Sequence, residues 1–224
     1  MKQTCTGGKI LREYKGNTIR YISDIMKEFW LQIKEKQLEK CVDAFIDHGS
    51  FKSENSRLYF EKVQELEFDI AVHAFKFFTG GNLTRVDFGT VREDQLKVSK
   101  ENEIKLLIES KTVASLLIET SLKLDCSFAQ VRKLLNEGAI LYIGSDFNSG
   151  STLKDDLLPQ LATFKTFEKL RNTEVFISII SCSAKALNLA HQMDLAKGNL
   201  KALILFKMVS YANILYHQGQ LKSS

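Results

Sequence analysis

A single proline, Pro159, stands in 224 residues, where average usage would supply about ten. Inside a helix, proline removes a backbone donor and crowds the preceding carbonyl. A chain almost free of it can carry long helices with few forced stops, and the spacing of apolar residues agrees. From Asn17, a suitable N-cap, Ile19, Ile22, Met26, Phe29, Trp30 and Ile33 recur at three- and four-residue steps. Leu38, Val42, Phe45 and Ile46 continue the same face as far as His48-Gly49-Ser50. A second helix is expected over 53–78, with Tyr59, Val63, Leu66, Ile70, Ala74 and Phe77 on one side and Thr79-Gly80-Gly81 as its stop.

Residues 101–124 read as a third helix. It is apolar all round at Val113, Ala114, Leu116, Leu117 and Ile118, as a central helix enclosed by others would be. Ser127 and Gln130 have the spacing of a capping box for the next helix, and Gly138 stands just past its end. Three more helices are expected near 152–171, 173–196 and 199–217. The expected fold class is therefore all-α, with about seven to nine helices. At most a short hairpin or isolated strands occur near 83–88 and 139–143. Residues 1–16 read as a basic flexible arm, and 17–224 as a single helical domain, with any division into two lobes near 79–100 or 144–152.

Hydrophobic residues make up 44% and charged residues 26% of the chain, which excludes the low-hydrophobicity signature of disorder. Cys5, Cys41, Cys126 and Cys182 form no C-x-x-C pair, and Met1 is not followed by the apolar run of a secretory signal. Free thiols and a reducing, cytoplasmic setting are expected. No apolar stretch approaches the roughly 20 residues needed to cross a bilayer, so no membrane association is expected.

Charge is uneven along the chain. Residues 1–36 hold eight bases against four acids, 37–153 fourteen against eighteen, and 154–224 nine against five. Basic ends around an acidic middle suit a polyanion held at the termini, or one copy's end docked on another's centre. The segment from Thr120 to Asn136 resembles a helix-turn-helix. It has small Ser121 in the first helix, Leu124 near its end, Cys126 in the turn, and Val131 and Leu134 facing inward on the second. Such a resemblance implies that the outer side of the second helix meets nucleic acid. The candidate contacts are Lys123, Gln130, Arg132 and Lys133 there, and Lys9, Arg12, Lys15 and Arg20 in and beside the arm.

Signatures of the common catalytic classes are missing: there is no nucleophile elbow, H-E-x-x-H or dinucleotide fingerprint, and Gly7-Gly8-Lys9 lacks the spacing of a phosphate loop. No catalytic residue, metal or cofactor is assigned. The function expected is a non-catalytic helical binding protein that binds RNA and self-associates, with a homo-oligomer or protein partner. The alternative is a protein–protein interaction module without nucleic acid. A third reading is an enzyme with a dispersed site around His73, which together with Asp69 and Glu65 would share one helix edge at i, i+4 and i+8.

Overall fold

The computed structural model describes residues 5–6, 10–46, 53–74, 88–94, 101–123, 130–145, 156–189 and 204–217. The fold is α/β, not all-α. Six strands follow one another across the sheet in chain order: β1 (Cys5–Thr6), β2 (Cys41–Ile46), β3 (Asp69–Ala74), β4 (Arg92–Asp94), β5 (Val113–Leu117) and β6 (Leu141–Gly144). β1 pairs with β2, β2 with β3, and β3 with β4, all in parallel. Parallel neighbours require a crossover, and helices supply it: α1 (Thr18–Ile25), running on through a π segment (Met26–Trp30) into α2 (Leu31–Glu35), leads to β2, and α3 (Ser53–Glu65) leads to β3.

The chain divides into two compact units, Met1–Ala114 and Ser115–Ser224. In the first, Val42 and Ala44 of β2 and Ile70 and Val72 of β3 form one apolar face. They share a buried cluster with Tyr21, Ile22, Met26, Trp30 and Ile33 of the first helical run and Tyr59, Phe60 and Val63 of α3. Strand side chains alternate between faces, so Asp43, Ala71 and His73 fall on the opposite side. The second unit contains α5 (Ile118–Lys123), α6 (Val131–Asn136), β6, α7 (Leu157–Phe167) and α8 (Asn172–Ile177). A π segment (Ser178–Cys182), α9 (Ser183–Ala186) and α10 (Ala212–Tyr216) complete its described elements.

The all-α expectation fails because of how the helices stop. Asn17 caps α1 as expected, accepting from the Arg20 N–H at 3.2 Å. Their far ends, however, use non-glycine residues in the left-handed region: Gln37 (φ 51°), Glu67 (φ 59°), Lys111 (φ 58°), Lys169 (φ 52°) and Asn188 (φ 53°). After four of these an apolar residue donates back across the turn. The N–H of Leu38 reaches Ile33 O (3.1 Å), that of Phe68 Val63 O (3.3 Å), that of Leu170 Lys165 O (2.9 Å) and that of Leu189 Ala184 O (2.7 Å). This six-to-one closure satisfies an orphan carbonyl and offsets the roughly 1–2 kcal/mol that an L-residue with a Cβ loses in this conformation.

The run 53–78, expected as one helix, therefore breaks at Glu67 into α3 and β3. Likewise 101–124 is α4 (Glu101–Glu109), then β5, then α5. All five β5 residues are buried, so the run that is apolar all round is a strand covered on both faces. Of the two isolated strands expected, the one near 139–143 is β6 in the sheet; 83–87 lies outside the described residues, as do the proposed cap at Ser127 and most of the 144–152 loop. Among the described residues no helix is long and apolar enough to cross a membrane.

Candidate active site

Three adjacent parallel strands place Asp43, His73, Arg92 and Asp94 on one face of the sheet. In the register, Asp43 is level with Ala71, and Ala71 with Arg92; two residues further along, His73 is level with Asp94. His73 is the last residue but one of β3, and Asp94 ends β4. His73 and Asp94 thus sit at the carboxyl ends of their parallel strands, where side chains converge on the substrate side of α/β enzymes, and Asp43 reaches them from within β2.

His73 Nδ1 lies 2.5 Å from Asp43 Oδ2, and His73 Nε2 lies 3.2 Å from Asp94 Oδ2. The two carboxylate side chains are only 4% and 3% exposed, and the imidazole 17%. Arg92 Nε donates to the same Asp94 Oδ2 at 3.3 Å. A neutral imidazole has one N–H donor and one acceptor nitrogen, so it cannot donate to both carboxylates. An imidazolium satisfies both contacts, and so does a cation held among the carboxylate oxygens and one ring nitrogen. The three residues each offer a ligand atom within 4.8 Å of the others. Asp43 Oδ1 is buried with no hydrogen-bond partner among the described residues, a costly state for a carboxylate oxygen unless something positive meets it.

The helix-edge trio of Glu65, Asp69 and His73 is not assembled. Glu65 ends α3 and pairs with Lys62 Nζ at 2.7 Å on the surface, while Asp69 begins β3 at the strand end away from His73. His73 keeps its place, and its partners are Asp43 and Asp94, which the helical reading had no means to find. A lone aspartate within the apolar run Val42 to Ile46 is the signal that strand periodicity would raise; Asp94 stands in the charged run Arg92-Glu93-Asp94 and carries no such mark.

Lys9 lies outside the described residues. Arg12 and Lys15 are exposed around the short 3-10 turn Arg12–Tyr14, and Arg20, also exposed, pairs with Asp24 at 3.6 Å. Lys123 ends α5, Gln130 is exposed just before α6, and Lys133 is half-buried on it. Arg132 grips Glu174 with both terminal nitrogens, at 3.0 and 3.2 Å, and donates to Lys169 O at 2.6 Å.

The Arg132 guanidinium, with further help from the Arg171 N–H and side chain, holds the Glu174 carboxyl at a pKa of about 2 against the burial that opposes it. A depressed carboxyl pKa contributes stability above the ordinary value near 4.5 and loses it as pH falls toward 2. We expect wild type to lose about 1–2 kcal/mol more between pH 7 and pH 3 than Glu174→Gln, the partly exposed arginines screening some of the full linkage. Urea midpoints for the two proteins across that range check this; parallel losses would refute it.

The fold matches solved TIM-barrel amidohydrolases. An amidohydrolase from a Sargasso Sea environmental sample superposes with a TM-score of 0.71 at 13% identity, covering 98% of this chain and 56% of that one. A Xaa-Pro dipeptidase with bound methionine gives 0.68 at 14%, covering 100% and 67%. A zinc-bound adenosine deaminase from Xanthomonas campestris gives 0.62 at 16%, covering 78% and 45%.

In sequence, the chain is similar to imidazolonepropionases. Those of Bacillus thuringiensis (strain Al Hakam) and Bacillus mycoides (strain KBAB4) are each 33% identical over 216 residues, covering 93% of this chain. The chain spans about half the length of these curated relatives. No protein-family model matches it. These similarities overturn the expectation of a non-catalytic, self-associating RNA-binding protein and that of an interaction module: the relatives and structural neighbours are enzymes. The residues that converge in the fold are a histidine and two buried carboxylates.

Proposed function

We propose that this chain is a metal-dependent hydrolytic enzyme acting at a carbon–nitrogen bond, with Asp43, His73 and Asp94 as the core of its site. The observation that carries this is the buried Asp43 Oδ1 without a partner, in a cluster whose imidazole faces a carboxylate from each nitrogen. The Asp43 carboxylate and an imidazole nitrogen of His73 are donors that suit a borderline cation such as zinc, and so few protein donors would leave positions open for reactants. When bound, such a cation supplies Lewis acidity toward a carbonyl oxygen and toward water.

The chain's own groups do the rest. His73 is held at both ring nitrogens, so the plane of its ring is set before substrate arrives. Asp43 Oδ1, buried with no hydrogen-bond partner among the described residues, is the oxygen left for a cation. Burial of both carboxylates keeps bulk water from screening these interactions. The name of the curated relatives makes imidazolonepropionate the first substrate to test.

We expect the purified chain, stripped with a chelator, to be inactive on imidazolonepropionate. Activity should return in step with about one equivalent of added zinc, manganese or cobalt, followed by substrate absorbance and by metal content after desalting. Retention of no metal together with no hydrolysis under any of these ions would sink the reading.

A further inference from the structure

We propose that Arg92 is a positioning residue that makes the two carboxylates of the cluster unequal, committing Asp94 to orient His73 and reserving Asp43 for a cation. This rests on the reading of the cluster as a metal site.

Asp43 and Asp94 flank the same imidazole, yet their surroundings differ. Asp94 Oδ2 receives two donors, Arg92 Nε at 3.3 Å and His73 Nε2 at 3.2 Å. Asp43 meets His73 through Oδ2 and keeps Oδ1 buried without a partner among the described residues. The guanidinium carries a permanent positive charge on a planar frame, and here it is itself buried, with its side chain 11% exposed. A buried cation beside Asp94 lowers that carboxylate's need for a second cation and holds its oxygen where it can only accept.

When a cation is held on the Asp43 side, Nδ1 would face it with its lone pair while the Nε2–H donates to Asp94. That is the order of parts in which a carboxylate behind a histidine fixes the tautomer and raises the ligand strength of the nitrogen in front. Strand register enforces the arrangement. Arg92 and Asp94 are two residues apart on β4 and therefore share its face, and pairing with β3 sets Asp94 level with His73.

The test measures cobalt(II) binding to the full chain, by titration and by the visible spectrum of the bound ion, for wild type, Arg92→Gln, Arg92→Lys, Asp94→Asn and the double variant Arg92→Gln/Asp94→Asn. Loss of an outer-shell partner weakens metal binding by about 10–100-fold; we expect that loss for Arg92→Gln, a smaller one for Arg92→Lys, and a shifted cobalt spectrum. In the Asp94→Asn background the further effect of Arg92→Gln should fall below about twofold, because the carboxylate it acts on is gone. Unchanged affinity and spectrum in Arg92→Gln overturn the inference, as does an equal loss with and without the Asp94 carboxylate, which would mark Arg92 as merely part of the packing. If Arg92→Gln does not fold, Arg92→Lys decides alone: a several-fold weaker affinity supports the inference and an unchanged one overturns it. Should wild type itself bind no cobalt, the metal reading fails as a whole, an outcome distinct from a wild type that binds and an Arg92 variant that binds equally well.

Discussion

Replacing His73 with alanine is expected to lower hydrolysis by about a thousandfold or more and to abolish metal retention. A positioned acid–base group is worth roughly 10²–10⁴ in rate, and His73 additionally supplies the nitrogen donor of the cluster. It stands between Asp43 and Asp94 on the neighbouring strands, with a carboxylate oxygen at each ring nitrogen. Without it two buried carboxylates face each other across a gap with nothing positive between them among the described residues. Initial rates on imidazolonepropionate and metal content after dialysis would be measured together. Asn or Gln at position 73 separates bulk from chemistry, since either amide fills part of the space but cannot act as an imidazole ligand and proton carrier. Activity within tenfold of wild type for all three substitutions would show that His73 is a satisfied core histidine, with the chemistry elsewhere.

How much of this was legible beforehand depends on which physical signal each element carries. The amphipathic start of the first helix was readable because Asn17 is a conventional cap and Ile22, Met26, Trp30 and Ile33 bury one face. The scarcity of proline was read as a sign of helices, but a central strand excludes proline just as strongly, since it needs every N–H for the ladder. Helix ends at Gln37, Glu67, Lys111, Lys169 and Asn188 carry no glycine, so the punctuation that separates α3 from β3, and α4 from β5, was absent from the residue types. Val113 to Leu117 is buried throughout, on both faces, and periodicity cannot tell such a strand from a buried helix.

The site failed to show for a related reason. Asp43, His73 and Asp94 come from three strands joined by parallel pairing, and no local motif records that register. His73 is conspicuous for its own chemistry, but a helical period gives it Asp69 and Glu65 as partners, whereas strand pairing gives it Asp43 and Asp94. Arg132 drew attention for its charge, yet its donors meet Glu174 and a backbone carbonyl; charge read from sequence does not reveal whether an internal carboxylate already answers it.

The largest stability effect is expected at Trp30. It is fully buried, stacked edgewise against Phe29 at 5.0 Å and tilted against Phe68 at 5.9 Å, and it belongs to the cluster that backs Val42, Ala44, Ile70 and Val72. Trp30→Ala should cost about 3–5 kcal/mol through lost burial and the cavity left behind, a large share of the roughly 5–15 kcal/mol that holds a domain folded. Trp30→Phe should cost far less. It fills most of the space, and it removes an indole N–H that is buried with no hydrogen-bond partner among the described residues, a group whose desolvation opposes folding. Trp30 is also the sole tryptophan, so its fluorescence follows unfolding of the first unit in wild type, while far-UV circular dichroism must be used for the variants. The same strands carry Asp43 and His73 on their other face, so a loosened core should weaken metal binding as well. Added metal should in turn recover part of the lost stability in Trp30→Ala, because a ligand that binds only the folded state stabilises it by mass action. A cost below about 1 kcal/mol for Trp30→Ala would mean that the sheet is supported from elsewhere and that the two faces are not coupled.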